Sequence, residues 1–149
     1  LVQQEEFIDV LEILRDWDHR WIFELETNGA ITPEPDLDRI ISQYNVSPKL
    51  SNSGNNEDLR LNQEALTFFA ASPRAWFKFV ISSPADLAEV AGLQSQFGLD
   101  VERIFLMPEG RDPKTLQGRR EWLAEKCRAL GYRFSDRLHI QLWGDERGR

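Results

Sequence analysis

The amino-acid sequence predicts an α/β domain built on a mainly parallel sheet. Short apolar segments typical of buried strands alternate with amphipathic segments of helical period. Helical segments also separate most consecutive strands, and a parallel pair of strands requires such a crossover connection. The 149 residues contain no internal repeat and no long linker, so residues 1–149 are expected to form one domain or part of one.

Two helices and two strands are predicted in the first half of the chain. Residues 7–17 carry apolar side chains on one side of a helix, and residues 21–25 have the bulky apolar composition of a buried strand. Residues 39–46 are predicted as the second strand, followed by a polar loop. Asn62 can cap the next helix, which Pro73 stops.

The second half continues the alternation of strands and helices. Ala75–Ile81 is the third predicted strand, and Ser83 with Pro84 opens a helix that ends near Gly98. A fourth strand is predicted at residues 102–106, followed by a helix that Asp112 and Pro113 open and Gly131 ends. Residues 137–143 alternate between polar and apolar side chains and are predicted as the fifth strand.

The charge and the cysteine content exclude several classes of protein. The formal net charge is −7 and the pI about 4.9, which makes the chain a poor candidate for binding nucleic acid. No membrane-spanning run and no signal peptide are visible, so a cytoplasmic location is expected. Cys127 is the single cysteine and cannot by itself hold an iron–sulfur cluster. Its position on an apolar helix face predicts a buried, inert thiol.

Polar or turn-forming residues directly follow four predicted strands. Because the carboxyl ends of parallel strands share one edge of a sheet, these clusters are expected to meet at one small-molecule site. The clusters are Glu26, Thr27, Asn28 and Gly29; Ser47, Pro48 and Lys49; Ser82 and Ser83; and Met107, Pro108, Glu109 and Gly110.

Each cluster also has a plainer interpretation. Asn28-Gly29 is a common turn signal, Pro48 holds the preceding residue extended, and Pro108 can simply end a strand. In the functional interpretation, the Glu26 carboxylate and the Asn28 amide grip ribose hydroxyls or an amino acid, and Lys49 supplies a positive charge for a carboxylate. The backbone around Pro108 would then lie beside a flat purine.

The last predicted strand places Arg137, His139 and Gln141 on one face. This face either contacts water at an edge of the sheet or lines a pocket for a planar, hydrogen-bonding substrate. Inference from the residues alone ends at an α/β domain with a small-molecule site at the strand C-termini.

The motifs, taken together and in order, resemble the 7-carboxy-7-deazaguanine synthases, a family of radical S-adenosylmethionine enzymes. The resemblance covers essentially the whole chain and depends on the residue identities, the order and the spacing of five segments. These segments are residues 26–29, 46–54, 106–110, 131–135 and 137–144.

The resemblance implies a fold, a reaction and a set of cofactors. The fold is a partial (βα) barrel of the radical S-adenosylmethionine type, with mainly parallel strands, outer helices and the N-terminal strands missing. The reaction is that of a carbon–nitrogen lyase, which converts 6-carboxy-5,6,7,8-tetrahydropterin to 7-carboxy-7-deazaguanine and ammonia on the way to queuosine and other 7-deazapurines. Full-length members use S-adenosylmethionine, a [4Fe–4S] cluster and Mg²⁺, and tend to form homodimers.

The resemblance also implies roles for individual residues, without assigning a catalytic residue or a metal ligand. Those expected to contact S-adenosylmethionine are Ser47, Pro48, Lys49, Met107, Pro108, Glu109 and Gly110. Glu26, Thr27 and Asn28 are expected to face its ribose or methionine end. His139, with Arg137 and Gln141, is expected to face the pterin.

One departure from the family is large. The three cysteines spaced C-x3-C-x2-C and the following GGEP turn are not found in this sequence. Because the chain also begins at Leu1 and its single methionine is Met107, we expect translation to begin upstream. The chain is therefore expected to be a C-terminal portion that is inactive by itself.

Two other hypotheses stay open. The chain could belong to a different radical S-adenosylmethionine enzyme, such as an activase, although the final segment with His139 argues against this. A natural short protein that binds a nucleoside-like ligand or a partner chain without chemistry is the third hypothesis. The missing initiator methionine argues against that one.

Overall fold

The computed structural model describes residues 3–146, so Leu1, Val2 and residues 147–149 lie outside the description. Five strands form one sheet in which every neighbouring pair is parallel and the spatial order is β1-β2-β3-β4-β5. The strands are β1 (Glu24–Thr27), β2 (Gln43–Val46), β3 (Ala75–Ile81), β4 (Ile104–Pro108) and β5 (Arg133–Phe134). The helices are α1 (Gln4–Trp17), α2 (Pro35–Ile40), α3 (Glu57–Arg60), α4 (Gln63–Ala71), α5 (Pro84–Phe97), α6 (Pro113–Leu130) and α7 (Leu138–Trp143).

The strand order explains why the helices that connect the strands cover only one face of the sheet. Right-handed crossovers that add each strand on the same side of the previous one place all connecting helices on the same face. A doubly wound sheet reverses its order and so covers both faces. The predicted α/β fold with parallel strands is confirmed, and the arrangement agrees with part of a (βα) barrel. No helix in residues 3–146 is both long and apolar enough to cross a bilayer.

Alternation along β3 shows the two faces clearly. Phe77, Phe79 and Ile81 are almost fully buried against the helices and form the centre of the core. Trp76 and Lys78 point to the opposite, open face and are partly exposed. Tyr44 of β2 and Leu106 of β4 extend the core on the helix side, with exposures of 0%. The open face is thus the concave surface on which ligands can bind.

Helix starts and the buried thiol agree with the sequence predictions. The side chain of Asn62 accepts a hydrogen bond from the Ala65 amide at the start of α4 (3.0 Å), and Asp112 caps α6 through the Thr115 amide (2.8 Å). Ser83 and Asp86 form a capping box at α5. Cys127 is buried, and burial raises the pKa of its thiol to about 11, as expected for an inert core residue.

Two predicted strands in the first half have different bounds in the structure. Residues 35–40 form α2 because Pro35 occupies its first turn and Leu37 and Ile40, three residues apart, both turn towards the core. Only residues 43–46 of the predicted second strand pair in the sheet. The first strand begins later than predicted, since Trp21 and Ile22 precede the sheet and are 53% and 73% exposed.

The prediction of a strand at residues 137–143 is wrong, because this segment forms α7. The fifth strand is the short β5, which pairs with Phe105 and Leu106 of β4. In α7 only Ile140 is buried, whereas Leu138 and Leu142 are 61% and 57% exposed. This segment has an apolar residue at every second position. Over so short a stretch, that pattern is compatible with either a strand or a short helix. The segment is a helix in the structure, packed through Ile140.

Candidate functional site

A cavity of about 1110 Å³ opens at the C-terminal ends of the strands, on the open face of the sheet. Its lining comes from all four polar clusters and from α7. The predicted site residues that line it are Glu26, Thr27, Asn28, Ser47, Pro48, Lys49, Met107, Glu109, Arg137 and His139. The parallel strands therefore bring these residues together, while their individual roles stay predictions.

Three predicted site residues do not line the cavity. Pro108 and Gly110 are buried in the strand end and the turn after it, behind the lining. The side-chain amide of Gln141 donates a hydrogen bond to Asp136, which also forms an ion pair with Arg120 (2.8 Å). Because residues 137–143 form a helix, Gln141 lies on a different side of the segment from His139.

Several lining residues were not predicted as ligand contacts. Among them are Asn52, Lys78, Val80 and Arg111. Lys78 does have a sequence signal, since it is the one charged residue within the apolar strand Ala75–Ile81. The others lie in loops or on alternating positions whose direction depends on the sheet.

The turn after β1 depends on Gly29, which has a φ of +76°. A Cβ atom at this position would lie 3.0 Å from Val46 Cγ1, so a side chain would be strained and crowded. Thr27 Oγ1 accepts from the Gly29 amide and Asn28 Oδ1 from the Ala30 amide, both at 3.1 Å. These hydrogen bonds show that Asn28-Gly29 forms a turn, and Glu26, which precedes the turn, lines the cavity.

The loop after β2 is anchored by a buried ion pair. Arg60 of α3, 7% exposed, donates to the Glu89 carboxylate of α5 (2.5 Å) and to the Lys49 carbonyl (3.1 Å). Glu89 also accepts from the amide and the hydroxyl of Ser51, at 2.9 and 2.7 Å. Burial by itself raises the pKa of Glu89, but the hydrogen bonds from Ser51 and Arg60 outweigh burial and lower it.

The end of β3 is held by Asp86, which is 3% exposed. Its carboxylate accepts from the amide and the hydroxyl of Ser82, at 2.6 and 2.7 Å, and from the Ser83 amide at 2.9 Å. Burial raises the pKa of Asp86, but hydrogen bonds from Ser82, Asn52 and Ser83 lower it by more, so the carboxylate stays charged. Ser82 is thereby fixed at the wall of the cavity.

The loop after β4 and the charge of the lining complete the site. Arg119 donates to the Glu109 carbonyl (2.6 Å) and to its carboxylate, which anchors this loop on α6. Lys49, Lys78, Arg111 and Arg137 bring four cations to the cavity, against two carboxylates. In a chain of net charge −7, this excess of cations favours a ligand that carries negative charge.

The described residues offer no metal site. Among residues 3–146 no group of three or more His, Cys, Asp or Glu side chains could hold a metal ion. The single cysteine, Cys127, is packed on the helix side of the sheet.

Comparison with proteins of known function agrees with the resemblance drawn from the motifs. A 7-carboxy-7-deazaguanine synthase of Pyrobaculum aerophilum is 40% identical over 126 residues, which cover 85% of this chain and 54% of that protein. The chain is a relative of the 7-carboxy-7-deazaguanine synthases. Synthases of Halobacterium salinarum and Hyperthermus butylicus are 29% and 31% identical, over 81% and 78% of this chain. No known protein-family profile matches the chain.

The extent of these matches matters for function. The chain spans about half the length of the synthases it matches, 54% for Pyrobaculum aerophilum and 51% for Hyperthermus butylicus. For this chain, the activity of the complete synthases is therefore a proposal.

Proposed function

We propose that this chain is the ligand-binding part of a 7-carboxy-7-deazaguanine synthase, which converts 6-carboxy-5,6,7,8-tetrahydropterin to 7-carboxy-7-deazaguanine and ammonia. One observation carries the proposal: the loops that bear the synthase-like motifs surround one cavity, in a chain 40% identical to a named synthase. The product would serve the synthesis of queuosine and other 7-deazapurines. A cytoplasmic homodimer is the form we propose for the complete enzyme.

The size of the cavity suits S-adenosylmethionine together with a second ligand, and its excess of cations suits the carboxylate that each of the two carries. The volume of about 1110 Å³ exceeds the usual range for one small-molecule site, roughly 300–1,000 Å³. Ser47, Lys49, Met107 and Glu109 would hold the cofactor at the rim of the cavity, with Glu26 towards its ribose or methionine end. When bound and reductively cleaved, the cofactor supplies a carbon radical, and these side chains contribute binding and orientation.

The iron–sulfur cluster and Mg²⁺ do not fit the described residues. A cluster of this kind needs several thiolates, whereas the single cysteine is buried with its sulfur on the Arg133 carbonyl (3.6 Å). We therefore assign no step through either group to this chain. The residues that bind them would have to come from outside the ones described.

A chimera tests the proposed function. This chain would replace the matching part of the Pyrobaculum aerophilum synthase, so that the cluster segment of the relative is followed by the present cavity. We expect the reconstituted chimera to form 7-carboxy-7-deazaguanine from the carboxytetrahydropterin, within about a hundredfold of the parent kcat/KM, since the site residues are retained. A chimera with its cluster cysteines replaced by alanine is the inactive control.

The same experiment separates the other hypotheses. A chimera that binds its cluster and cleaves S-adenosylmethionine but leaves the pterin unchanged would contradict the proposal and favour an activase-like enzyme. One that binds a nucleoside without cleaving S-adenosylmethionine would favour a binding module. Chromatography of the adenosyl and pterin products distinguishes these results.

A further inference from the structure

The open face of the sheet carries a lysine without a partner. Lys78 lies at the middle of β3 and faces the cavity, with its side chain partly buried. Within residues 3–146 its ammonium group has neither a hydrogen bond nor an ion pair. A partly buried ammonium gains most from a partner that is both charged and able to accept hydrogen bonds.

Neither carboxylate of the cavity lining supplies that partner, and Glu109 is already paired with Arg119. Glu26 is the one other residue that, like Lys78, lines both the large cavity and a smaller one of about 340 Å³ beneath it. In the register of the strands, Glu26 of β1 pairs with Asn45 of β2, which pairs with Trp76 of β3. Glu26 is therefore two strands away from Lys78, and its row of paired residues crosses β3 two residues before Lys78. Two strand spacings separate these positions by roughly 10 Å across the sheet. Lys78 is therefore left free to contact a ligand.

A second cation near Lys78 is already engaged. The guanidinium of Arg133 lies over the Trp76 ring at 5.3 Å and over the Phe105 ring at 5.9 Å. The two rings are themselves 5.7 Å apart. Phe105 is the register partner of Lys78 on β4. Lys78 thus stands beside an aromatic pair that Arg133 partly covers, and these surroundings suit a ring ligand that directs a negatively charged substituent towards Lys78.

We propose that Lys78 binds the carboxylate of the tetrahydropterin substrate, a proposal that rests on the proposed function. A carboxylate of S-adenosylmethionine is the competing partner. Residues expected to contact that cofactor lie in the loops after the strands, and Lys49 already provides a cation there. Lys78 belongs to a strand interior, below these loops and beside the aromatic pair. The second ligand of the reaction is a bicyclic ring with a planar pyrimidine half and a carboxylate on its reduced half, which matches this position.

Binding measurements on the chimera test the role of Lys78. Dissociation constants would be measured by anaerobic calorimetry, without reductant, for 6-carboxytetrahydropterin and for tetrahydropterin without the carboxyl group. We expect Lys78→Met to weaken binding of the carboxylated pterin about 10- to 100-fold, the loss for one charge-assisted hydrogen bond. Binding of the pterin without the carboxyl group and of S-adenosylmethionine is expected to change less than about threefold.

Two further variants separate the effect of the charge from the effect of the substitution itself. Lys78→Arg retains the positive charge and is expected to recover most of the lost affinity for the carboxylated pterin. Lys126→Met removes an exposed lysine of α6, outside the cavity, and is the matched control with unchanged binding. Equal weakening of both pterins by Lys78→Met, or weakening of S-adenosylmethionine instead, would overturn the proposal. An unsubstituted chimera that binds no pterin would overturn the proposed function itself.

Discussion

At the scale of single residues, Asp86 shows how a buried charge shapes the wall of the cavity. Three hydrogen bonds from Ser82 and Ser83 satisfy a carboxylate that is 3% exposed. The same carboxylate completes the capping box of α5. A buried charge of this kind is tolerated only with such donors, since desolvation would otherwise neutralise it. Asp86 therefore connects the stability of α5 with the placement of Ser82.

Replacing Asp86 with asparagine is expected to destabilise the protein by about 1–3 kcal/mol at neutral pH, because the amide oxygen that would take the place of Oδ2 carries no charge and accepts the three hydrogen bonds more weakly. The folded-state pKa of Asp86 is lowered below 3.8, so its contribution is complete above pH 3.8 and is lost as the pH falls through the lowered value. Urea unfolding between pH 7 and pH 3 should show the difference from wild type shrinking at the acid end. Asp9→Asn, on the exposed side of α1, is the control; an equal loss there would contradict this account.

At the scale of elements, two helices position the loop that follows β2. Arg60 comes from α3 and Glu89 from α5, and together they bind the Lys49 carbonyl and the Ser51 backbone and side chain. A site on a loop gains precision when rigid elements hold its backbone. The expected cofactor contacts Ser47 and Lys49 thus depend on residues that do not line the cavity.

Arg60→Met should loosen this loop, because it leaves the Glu89 carboxylate without its buried cation. Hydrogen exchange of the Ser51–Ser53 amides is expected to accelerate more than tenfold, while amides of β3 change little. The exposed pair of Arg39 with Asp36 provides the comparison, and Arg39→Met should shift the free energy of unfolding by less than about 0.5 kcal/mol. Unchanged exchange at Ser51 in Arg60→Met would refute the role of the ion pair.

At the scale of the whole molecule, helices cover one face of the sheet and leave the other as a concave surface. Parallel sheets usually have both faces covered. Three large apolar side chains that precede β1 in the chain are exposed to water. Trp17 is 80% exposed, Ile22 73% and Ile13 68%. Exposed apolar side chains promote contacts with other protein surfaces where they come together.

The 149-residue chain is therefore expected to associate with itself as its concentration rises. Trp17→Gln combined with Ile22→Thr should reduce this association at least several-fold, and change the free energy of unfolding by less than about 0.5 kcal/mol, since both side chains are already in water. Sedimentation velocity over a range of concentrations measures the effect. Leu59→Gln changes an equally exposed residue on α3 and is the control, with no effect on association expected.

Local signals were sufficient for much of the fold. The strand Ala75–Ile81 and the helices that begin after Asn62, Ser83 and Asp112 have the predicted bounds, because capping residues, prolines and glycines act within a few residues. The convergence of the polar clusters also followed from the sequence, since parallel strands point their carboxyl ends to one edge.

Other features depended on contacts between distant parts of the chain. Residues 137–143 became a helix through the packing of Ile140, and Gln141 turned to Asp136 and away from the cavity. Lys78 was visible in the sequence as a charge within an apolar strand, but only the register of β1 to β4 shows that it faces the cavity without a partner. Sequence by itself determined the fold class, the central strand, the starts of the helices after Asn62, Ser83 and Asp112, and the edge of the sheet where ligands bind, because these depend on local propensity and strand direction. Tertiary structure alone decided which side chains line the cavity, because that depends on packing and register.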